Sequence, residues 1–257
     1  MAAKACSVLI TGANRGLGLE MVKQMVGSPR PVHQLFACCR DPDGPRADGL
    51  RDLAKKHPNV ITVIRLDATD HCSIKESAKQ VGSLVGKAGL NLLVNNAGGL
   101  SHGNMQTTST QDMQAAFNTN IMGPMNVTKE FLPYLHAAAT ANGKPGMSCS
   151  KAAVVSSSST VASMATVKEL YPFFPAISYR ISRAGLNMLT LCATEEFRKD
   201  EILFAVLHPA WVRTDMGGEE GAIDAPESVE GLLRMMDSLT EKQSGAFLDY
   251  EGKVLPW

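Results

Sequence analysis

Short apolar runs alternate along the chain with longer stretches whose apolar residues recur at helical spacing. The apolar runs predict strands, which in chain order cover residues 7–11, 35–39, 60–66, 91–94, 152–156 and 202–207, with a last short strand at 246–249. Several runs are apolar at successive positions, as strands are when helices cover both faces of a sheet. The pattern therefore predicts an α/β fold, a doubly wound parallel sheet with helices on both faces.

Two segments interrupt this alternation and are interpreted as loops. Residues 141–151 and 215–227 are rich in glycine, proline, serine or charge and show no clear periodicity. Neither is long or polar enough to link two domains, and no internal repeat is present. Because α/β sheets commonly use 257 residues as one unit, residues 1–257 are expected to form a single domain.

Composition narrows the classes of function. Lys and Arg number 25, as do Asp and Glu, so no excess positive charge is available to bind a nucleic-acid backbone. The apolar stretch at residues 6–10 is too short for the core of a signal peptide, and no run of about 18 apolar residues could cross a membrane. The six cysteines form no metal-binding spacing, which favours reduced thiols. We expect a cytoplasmic protein without nucleic-acid, membrane or metal partners.

A glycine-rich turn follows the first predicted strand. Residues 11–18 read TGANRGLG, and a helical pattern continues from residue 19 to residue 25. Glycines let a pyrophosphate approach the backbone, whose amides and helix N-terminus then face the negative charge. A tight strand-to-helix turn without a ligand is the alternative. The turn predicts a dinucleotide site that includes Gly12, Asn14, Arg15, Gly16, Leu17 and Gly18.

Charged residues near the turn indicate which dinucleotide binds. Arg15 lies inside the turn and Arg40 directly follows the second strand, where an acidic residue would hold the ribose of NAD. Two arginines there suit the 2′-phosphate of NADP. Solvated surface charges are the alternative for both, and Asp41 is the carboxylate that an NAD site would use. NADP, or NADPH in its reduced form, is the cofactor that we favour.

Asp67 directly follows the third predicted strand and is a candidate for binding the adenine. Its carboxylate could accept a hydrogen bond from the adenine amino group. The alternative is that Asp67 caps the N-terminus of the next helix.

A second motif, Asn-Asn-Ala-Gly at residues 95–98, follows the fourth predicted strand. Together with the turn, it resembles the signatures of short-chain dehydrogenases/reductases, and within them those of carbonyl reductases of the sniffer and C-factor group. The similarity extends over nearly the whole chain through the segments TGANRGLG, LFACCRDP, HPAWVRTDMGG and EKQSGAFLDYEGKVLPW. The resemblance implies a Rossmann-type fold, nicotinamide chemistry and further cofactor contacts from Asn95, Ala97, Gly98, Pro209, Val212 and Thr214.

The resemblance also implies a catalytic set made of an asparagine, a serine, a tyrosine and a lysine. Tyr179, which opens a predicted helix, would give its phenolic proton to the carbonyl oxygen. Ser159 would hydrogen-bond the same oxygen, and Ser158 is the alternative within a run of four serines. Asn120 matches the asparagine that positions a proton-relay water, and Asn118 is the less favoured register.

The fourth catalytic position departs from the family pattern, because Arg183 stands where the lysine of Y-x-x-x-K is expected. Residues four apart share a helix face, so Arg183 can place its charge beside Tyr179 and bind the nicotinamide ribose. Arginine stays protonated, however, and relays protons poorly. A second departure is Ala210, where relatives usually have the glycine of Pro-Gly. The two departures leave an alternative function, an NADP-binding scaffold or signalling protein with weak or no catalysis.

The segment between the proposed serine and tyrosine, residues 161–178, is interpreted as a wall of the substrate pocket. It contains the sequence LYPFFP at 170–175, in a chain with only 5% aromatic residues. Aromatic walls favour an apolar ketone, aldehyde or quinone over a sugar, and local packing of a long loop is the alternative. The main hypothesis is an NADPH-dependent carbonyl reductase. The resemblance implies that it forms a homo-oligomer through the helices containing Asn120 and Tyr179.

Two other features are given no role in binding. His102 lies in the loop after the fourth predicted strand, where a lone histidine is usually surface polarity. Met105, Met113, Met122 and Met125 fall partly at helical spacing and are interpreted as core residues.

Overall fold

Seven parallel strands form one sheet in the computed structural model, which describes residues 6–29 and 32–257. The strands are β1 (Ser7–Ile10), β2 (Gln34–Cys39), β3 (Ile61–Arg65), β4 (Leu92–Asn95), β5 (Ala153–Ser157), β6 (Leu203–His208) and β7 (Phe247–Asp249). Their order is β3-β2-β1-β4-β5-β6-β7, and neighbouring strands are parallel. The predicted doubly wound parallel sheet is confirmed, and each strand boundary lies within one residue of its prediction.

Helices cover both faces of the sheet. They are α1 (Gly16–Gly27), α2 (Asp48–Lys56), α3 (His71–Val85), α4 (Thr110–Phe117), α5 (Gly123–Asn142), α6 (Val167–Leu170), α7 (Ile177–Glu196) and α8 (Ala225–Ser238). A π turn, Asn118–Met122, joins α4 to α5. In the part of the chain that the structure describes, no helix is both long enough and apolar enough to cross a lipid bilayer.

The central strands send alternate side chains into two separate cores. Val8 and Ile10 of β1 pack in the core that α1 and α8 cover, whereas Leu9 packs in the core that α3 and α5 cover. In β6, Leu203 belongs to the first core and Phe204 to the second. Because both faces of these strands are buried, their successive positions must be apolar, which is the pattern that the sequence shows.

Both predicted loops are shorter than the sequence indicated, because specific residues define the helix ends. Helix α5 continues to Asn142 and ends at Gly143, whose φ of 62° is the left-handed conformation common after a helix C-terminus. Helix α8 begins at Ala225 because the Asp224 carboxylate accepts a hydrogen bond from the Glu227 amide at 2.9 Å. The predicted loops 141–151 and 215–227 are therefore wrong by two and three residues at one end.

The interpretation of the methionines as core residues is wrong. Met105 is 77% exposed, and Met113, Met122 and Met125 are only partly buried and belong to neither core. Helical spacing identifies residues that share a face, but it does not show whether that face meets the sheet or the solvent.

The strand order changes direction between β1 and β4. From β1 the sheet continues through β2 to β3, whereas β4 begins the half that continues through β5 to β7. Helix α1, which follows β1, and helix α5, which follows β4, pack on opposite faces. The connections diverge and leave a crevice at the carboxyl ends of these strands, where doubly wound sheets bind their ligands.

Candidate active site

A cleft of about 630 Å³ lies at the carboxyl ends of the strands. It brings together residues from the turn after β1, the loops after β2, β3 and β4, the end of β5, helix α7 and the loop after β6. The predicted cofactor residues that line it are Gly12, Asn14, Arg15, Gly16, Leu17, Arg40, Asp67, Ala97, Gly98, Arg183, Pro209 and Thr214. Gly18, Asn95 and Val212 are not part of the lining.

The Asn-Asn-Ala-Gly motif holds the glycine turn in place. The Thr11 hydroxyl accepts hydrogen bonds from the amides of Asn96 and Ala97, both at 3.0 Å. The Asn96 side chain donates to the carbonyls of Thr11 and Gly12 at 3.0 and 3.3 Å. A Cβ at Gly18 would lie 2.2 Å from the Gly12 carbonyl oxygen, so only glycine fits there. Gly18 therefore shapes the turn without lining the cleft, and the sequence analysis missed the part played by Asn96.

The first turn of α1 has the properties of an anion site. Gly16 and Leu17, its first two residues, line the cleft. The side chain of Arg15, the residue before the helix, does not cap the amides at this end, and no other described side chain bonds to them. Uncapped amides and the positive end of the helix dipole both attract negative charge, as a pyrophosphate would supply.

Three arginines line the part of the cleft beside the turn and the loop after β2. Arg15 donates from Nη1 to Asp215 Oδ2 at 3.0 Å. The Arg40 guanidinium makes no hydrogen bond or ion pair with the residues that the structure describes. Arg46 also lines the cleft but was not predicted from the sequence. Its position shortly after Arg40 in the chain could have indicated that it lies near the same site. Asp41 lines the same region, so the carboxylate that an NAD site would use is also present.

Asp67 lines the cleft, and its alternative role as a helix cap is wrong. The side chain that caps α3 is Asp70, which accepts hydrogen bonds from the amides of Cys72 and Ser73. Asp67 Oδ1 instead accepts from the amide and hydroxyl of Thr69 at 2.9 and 2.7 Å. Its Oδ2 has no protein donor among the described residues and is open to a ligand.

Asn120 lies in the π turn and is fully buried. Its Oδ1 accepts from the Gly99 amide at 2.9 Å, and its Nδ2 donates to the Gly99 carbonyl and to the Ser182 hydroxyl, both at 2.9 Å. Asn120 thereby joins the loop after β4 to α7, although Thr119 rather than Asn120 lines the cleft. Asn118, the other register, is exposed.

Tyr179 and Arg183 lie one turn apart on α7, and both line the cleft. The guanidinium carbon of Arg183 is 5.1 Å from the centroid of the Tyr179 ring, which places positive charge over the phenol. Arg183 is 4% exposed and donates from Nη1 to the Ser157 carbonyl at 3.0 Å, and its Nε has no partner among the residues that the structure describes. A Cβ at Gly98 would lie 2.3 Å from Arg183 Nη2, so this glycine makes room for the guanidinium.

The serines after β5 differ in their surroundings. Ser157 and Ser158 line the cleft, and within the described part of the chain the buried Ser158 hydroxyl has no hydrogen-bond partner. Ser159 is not among the lining residues; its hydroxyl accepts from the Val161 amide at 3.3 Å in the turn that follows and keeps its own proton to donate. Near Ser158, burial lowers the pKa of His208 to about 4, so this imidazole is neutral at pH 7. The choice between Ser158 and Ser159 stays a prediction.

The loop after β6 reaches the cleft through Pro209, Thr214, Asp215 and Met216. Val212 is instead buried and bridges to Ile223, so it anchors the loop. Ala210 has a φ of 73°, the left-handed region that favours glycine. Its methyl group therefore costs backbone strain.

We expect Ala210→Gly to raise the free energy of unfolding by up to about 1 kcal/mol, because relief of the strain exceeds the added entropy of the unfolded chain. Chemical denaturation of both proteins measures the difference. As a matched control, Ala139→Gly inside α5 should lower stability by roughly 1 kcal/mol. A lower stability of Ala210→Gly would show that the alanine is not strained.

Part of the predicted aromatic wall lies next to Tyr179. The Phe174 ring contacts the Tyr179 ring edge-on at a centroid distance of 6.3 Å. His102, which was given no role, also contacts Phe174 edge-on, with the ring centroids 5.8 Å apart. Phe173 is 87% exposed and forms no part of the contact. The aromatic surface beside the cleft is thus smaller than the sequence suggested.

Comparison with known proteins identifies what the chain is similar to. A model of the short chain dehydrogenase family matches residues 7–224. The structure of an NADPH-bound carbonyl reductase from chicken fatty liver is 44% identical, with a TM-score of 0.96 over 100% of this chain and 96% of that chain. The carbonyl reductase Sniffer of D. melanogaster is 34% identical, with a TM-score of 0.92 over 98% of this chain and 100% of that chain. C-signal of Myxococcus xanthus is 35% identical over 65% of this chain and 93% of that protein.

Proposed function

The chain belongs to the short chain dehydrogenase family, and on this premise we propose that it is an NADPH-dependent carbonyl reductase. Its substrates are apolar ketones, aldehydes or quinones, which it converts to alcohols or quinols. The observation that carries the proposal is that Tyr179 and Arg183 share one cleft with the glycine turn and three arginines. The 44% identity to the NADPH-bound chicken carbonyl reductase supports it. Residues 1–257 would form the single domain that performs the reaction.

The residues of the cleft fit NADPH. The uncapped amides of α1 suit the pyrophosphate, and Arg15 and Arg40 suit the 2′-phosphate. The open Oδ2 of Asp67 suits the adenine amino group. The buried Nε of Arg183 lacks a partner, and a ribose hydroxyl would supply one. When bound, NADPH supplies the hydride that reduces the carbonyl carbon.

The proton comes from Tyr179, whose phenol donates it to the carbonyl oxygen. Ser159 hydrogen-bonds the same oxygen, and the partnerless hydroxyl of Ser158 makes that residue the alternative. The positive charge of Arg183 over the ring stabilises the phenolate that remains. Asn120 fixes the loop after β4 and supports the water that returns the proton.

Proton return is the step in which this chain differs from the family pattern. Arg183 stabilises negative charge, but a guanidinium does not release a proton. We therefore expect Arg183→Lys to raise turnover of a quinone or diketone, because an ammonium can lose and regain a proton. The affinity for NADPH should change by less than about tenfold, or about 1.4 kcal/mol. Steady-state kinetics and fluorescence titration measure the two effects.

The matched control for this substitution is Arg198→Lys. Arg198 is exposed and pairs with Glu195 near the other end of α7, so its replacement should change neither quantity. A fall in turnover for Arg183→Lys would contradict the expectation and show that the guanidinium is adapted to its contacts with Ser157 and Tyr179.

Two measurements on the unmodified protein test the proposed function. Thermal stabilisation by NADP reports binding, and NADPH oxidation in the presence of a panel of ketones, aldehydes and quinones reports turnover. The proposal requires both. Binding without turnover of any carbonyl would instead support the NADP-binding scaffold.

The proposal extends to the cell compartment and the assembly. All six cysteines are free thiols, which suits the reducing cytoplasm. Large apolar side chains of α4 and α7, namely Phe117, Ile181 and Met188, are about half exposed, and they would be covered in a homo-oligomer formed through these helices. Light scattering that gives the mass of a monomer would overturn the oligomer.

A further inference from the structure

Arg180, the residue after Tyr179, is a buried cation without an acidic partner. It is 6% exposed, and no carboxylate among the described residues pairs with it. Burial lowers the pKa of its guanidinium, and none of the described residues supplies a hydrogen-bond partner for Nη2. Burying an incompletely satisfied charge destabilises a protein, so stability of the fold alone does not account for this residue.

The hydrogen bonds and the ring contact of the Arg180 side chain all involve residues of the segment 161–176, which lies between β5 and α7. Nε donates to the Phe174 carbonyl at 2.8 Å, and Nη1 donates to the Val161 carbonyl at 3.2 Å. The guanidinium carbon is also 5.4 Å from the centroid of the Tyr171 ring. One side chain thus joins the beginning of the segment to its end.

Few apolar side chains anchor the segment, since Ala162 and Ala176 are its only buried apolar residues. Its one α-helix, α6, has four residues, and Met164 and Phe173 are largely exposed. The amides at the start of the segment bond to Ser159 and Thr160. Beyond that turn, hydrogen bonds tie the Ala165 amide to the Trp257 carbonyl at 3.1 Å and the Ile177 amide, just after the segment, to the Gly103 carbonyl at 3.0 Å. Segments with few buried apolar contacts open at low free energy. The two hydrogen bonds from Arg180 should therefore contribute a large share of the free energy that keeps this segment closed.

We propose that Arg180 is a positioning residue for the carbonyl substrate. By holding the Phe174 carbonyl, it keeps the Phe174 ring against Tyr179 and thereby maintains an apolar wall at the proton donor. The substrate class that such a wall favours is a carbonyl compound that carries an aromatic or alicyclic ring. The planar guanidinium is required, because one lysine ammonium does not span both carbonyls and stack on Tyr171. This inference rests on the proposed function for its substrate. The two hydrogen bonds from Arg180 to the Val161 and Phe174 carbonyls, which we call the clamp, do not depend on that function.

Kinetics test the positioning role through a split between KM and kcat. Because hydrogen bonds from a charged group are lost, we expect Arg180→Met and Arg180→Lys to raise KM for a ring-bearing ketone by about tenfold or more. The kcat of the saturated enzyme and the Kd of NADPH should each change by less than about threefold, since Tyr179 and the cofactor residues are untouched. A lysine variant with the KM of the unmodified protein would overturn the role of the two-carbonyl clamp.

Arg51 provides the matched control, because it holds a loop in the same way at another part of the cleft. Its Nη1 donates to the carbonyls of Pro42 and Gly44 at 2.6 and 2.8 Å. Gly44 lines the cleft beside Arg40 and Arg46, so Arg51→Lys should weaken NADPH binding and leave the KM of the ketone unchanged. Arg180 variants should change the KM of the ketone alone, and Arg51→Lys should change the affinity for NADPH alone. This difference would distinguish positioning of the substrate from a general loss of stability.

Hydrogen exchange tests the clamp without turnover. In Arg180→Met, amides of residues 161–176 should exchange about tenfold faster or more than in the unmodified protein, while those of β4 and β5 keep their rates. Faster exchange with a raised KM supports the proposal. Unchanged exchange, or faster exchange with an unchanged KM, overturns it. If the unmodified protein reduces no carbonyl, the proposed function fails and the positioning role fails with it, whereas the exchange rates still decide the clamp.

Discussion

Replacement of Tyr179 with phenylalanine is expected to lower carbonyl reduction by about 10²- to 10⁴-fold, the range that a positioned general acid contributes. Only the phenolic hydroxyl group, which is the proton donor, is lost. The ring keeps its contacts with Phe174 and Arg183, so the cleft should keep its shape and the affinity for NADPH should stay nearly unchanged. Steady-state rates and fluorescence titration of the same preparation measure the two quantities.

Tyr134→Phe is the matched control for this prediction. Tyr134 lies on α5, outside the cleft, and loses the same hydroxyl group. Its replacement should leave both turnover and cofactor affinity unchanged. A Tyr179→Phe protein that retains most of its turnover would remove Tyr179 from the mechanism, and equal losses in both variants would point to damage of the fold.

Replacement of Arg40 with aspartate is expected to remove most of the preference for NADPH over NADH. A charge-assisted contact with the 2′-phosphate contributes about 1.5–3 kcal/mol, so NADPH affinity should fall by about tenfold to 150-fold. The affinity for NADH should be kept or improved, because a carboxylate at this position accepts hydrogen bonds from the ribose hydroxyls. Fluorescence titrations with the two cofactors give the ratio directly.

The structure also indicates which of the two predicted arginines contributes more to NADPH affinity. Arg15 is paired with Asp215, whereas Arg40 has no protein partner in the described part of the chain. Arg15→Met should therefore cost less NADPH affinity than Arg40→Asp, and Arg198→Asp, far from the cleft, should cost none. Equal affinities of the unmodified protein for NADPH and NADH would contradict the assignment of both arginines.

The strands could be predicted almost to the residue, because burial on both faces requires apolar residues at successive positions. Loop ends were less predictable, since Gly143 and Asp224 set them through a backbone angle and a single hydrogen bond. The same limit explains Asp67, which follows its strand as a cap could, although Asp70 has the spacing that reaches the helix amides. Periodicity therefore predicted the fold and the strand boundaries, whereas the loop ends could not be predicted from it.

The site was predictable where a motif specifies it and less so where distant segments meet. Tyr179 and Arg183 follow from their spacing of four on a helix. By contrast, the hydrogen bonds of Asn96 to the glycine turn join residues about 85 positions apart, so no local sequence pattern predicts them. The strain at Ala210 is likewise a property of the folded backbone, and sequence analysis could only note the missing glycine.

Transfer of the cofactor's hydride to a carbonyl carbon is the central claim, and isotopic labelling tests it most directly. The unmodified protein is incubated with a ring-bearing ketone and NADPH that carries deuterium on one face of the nicotinamide C4, and then with NADPH labelled on the other face. We expect the alcohol from one of the two reactions to carry one deuterium at the carbinol carbon and the alcohol from the other to carry none, as a fixed cofactor geometry requires. A protein that binds NADPH but forms no alcohol, or forms alcohol without the label in both reactions, would contradict the assignment as a carbonyl reductase.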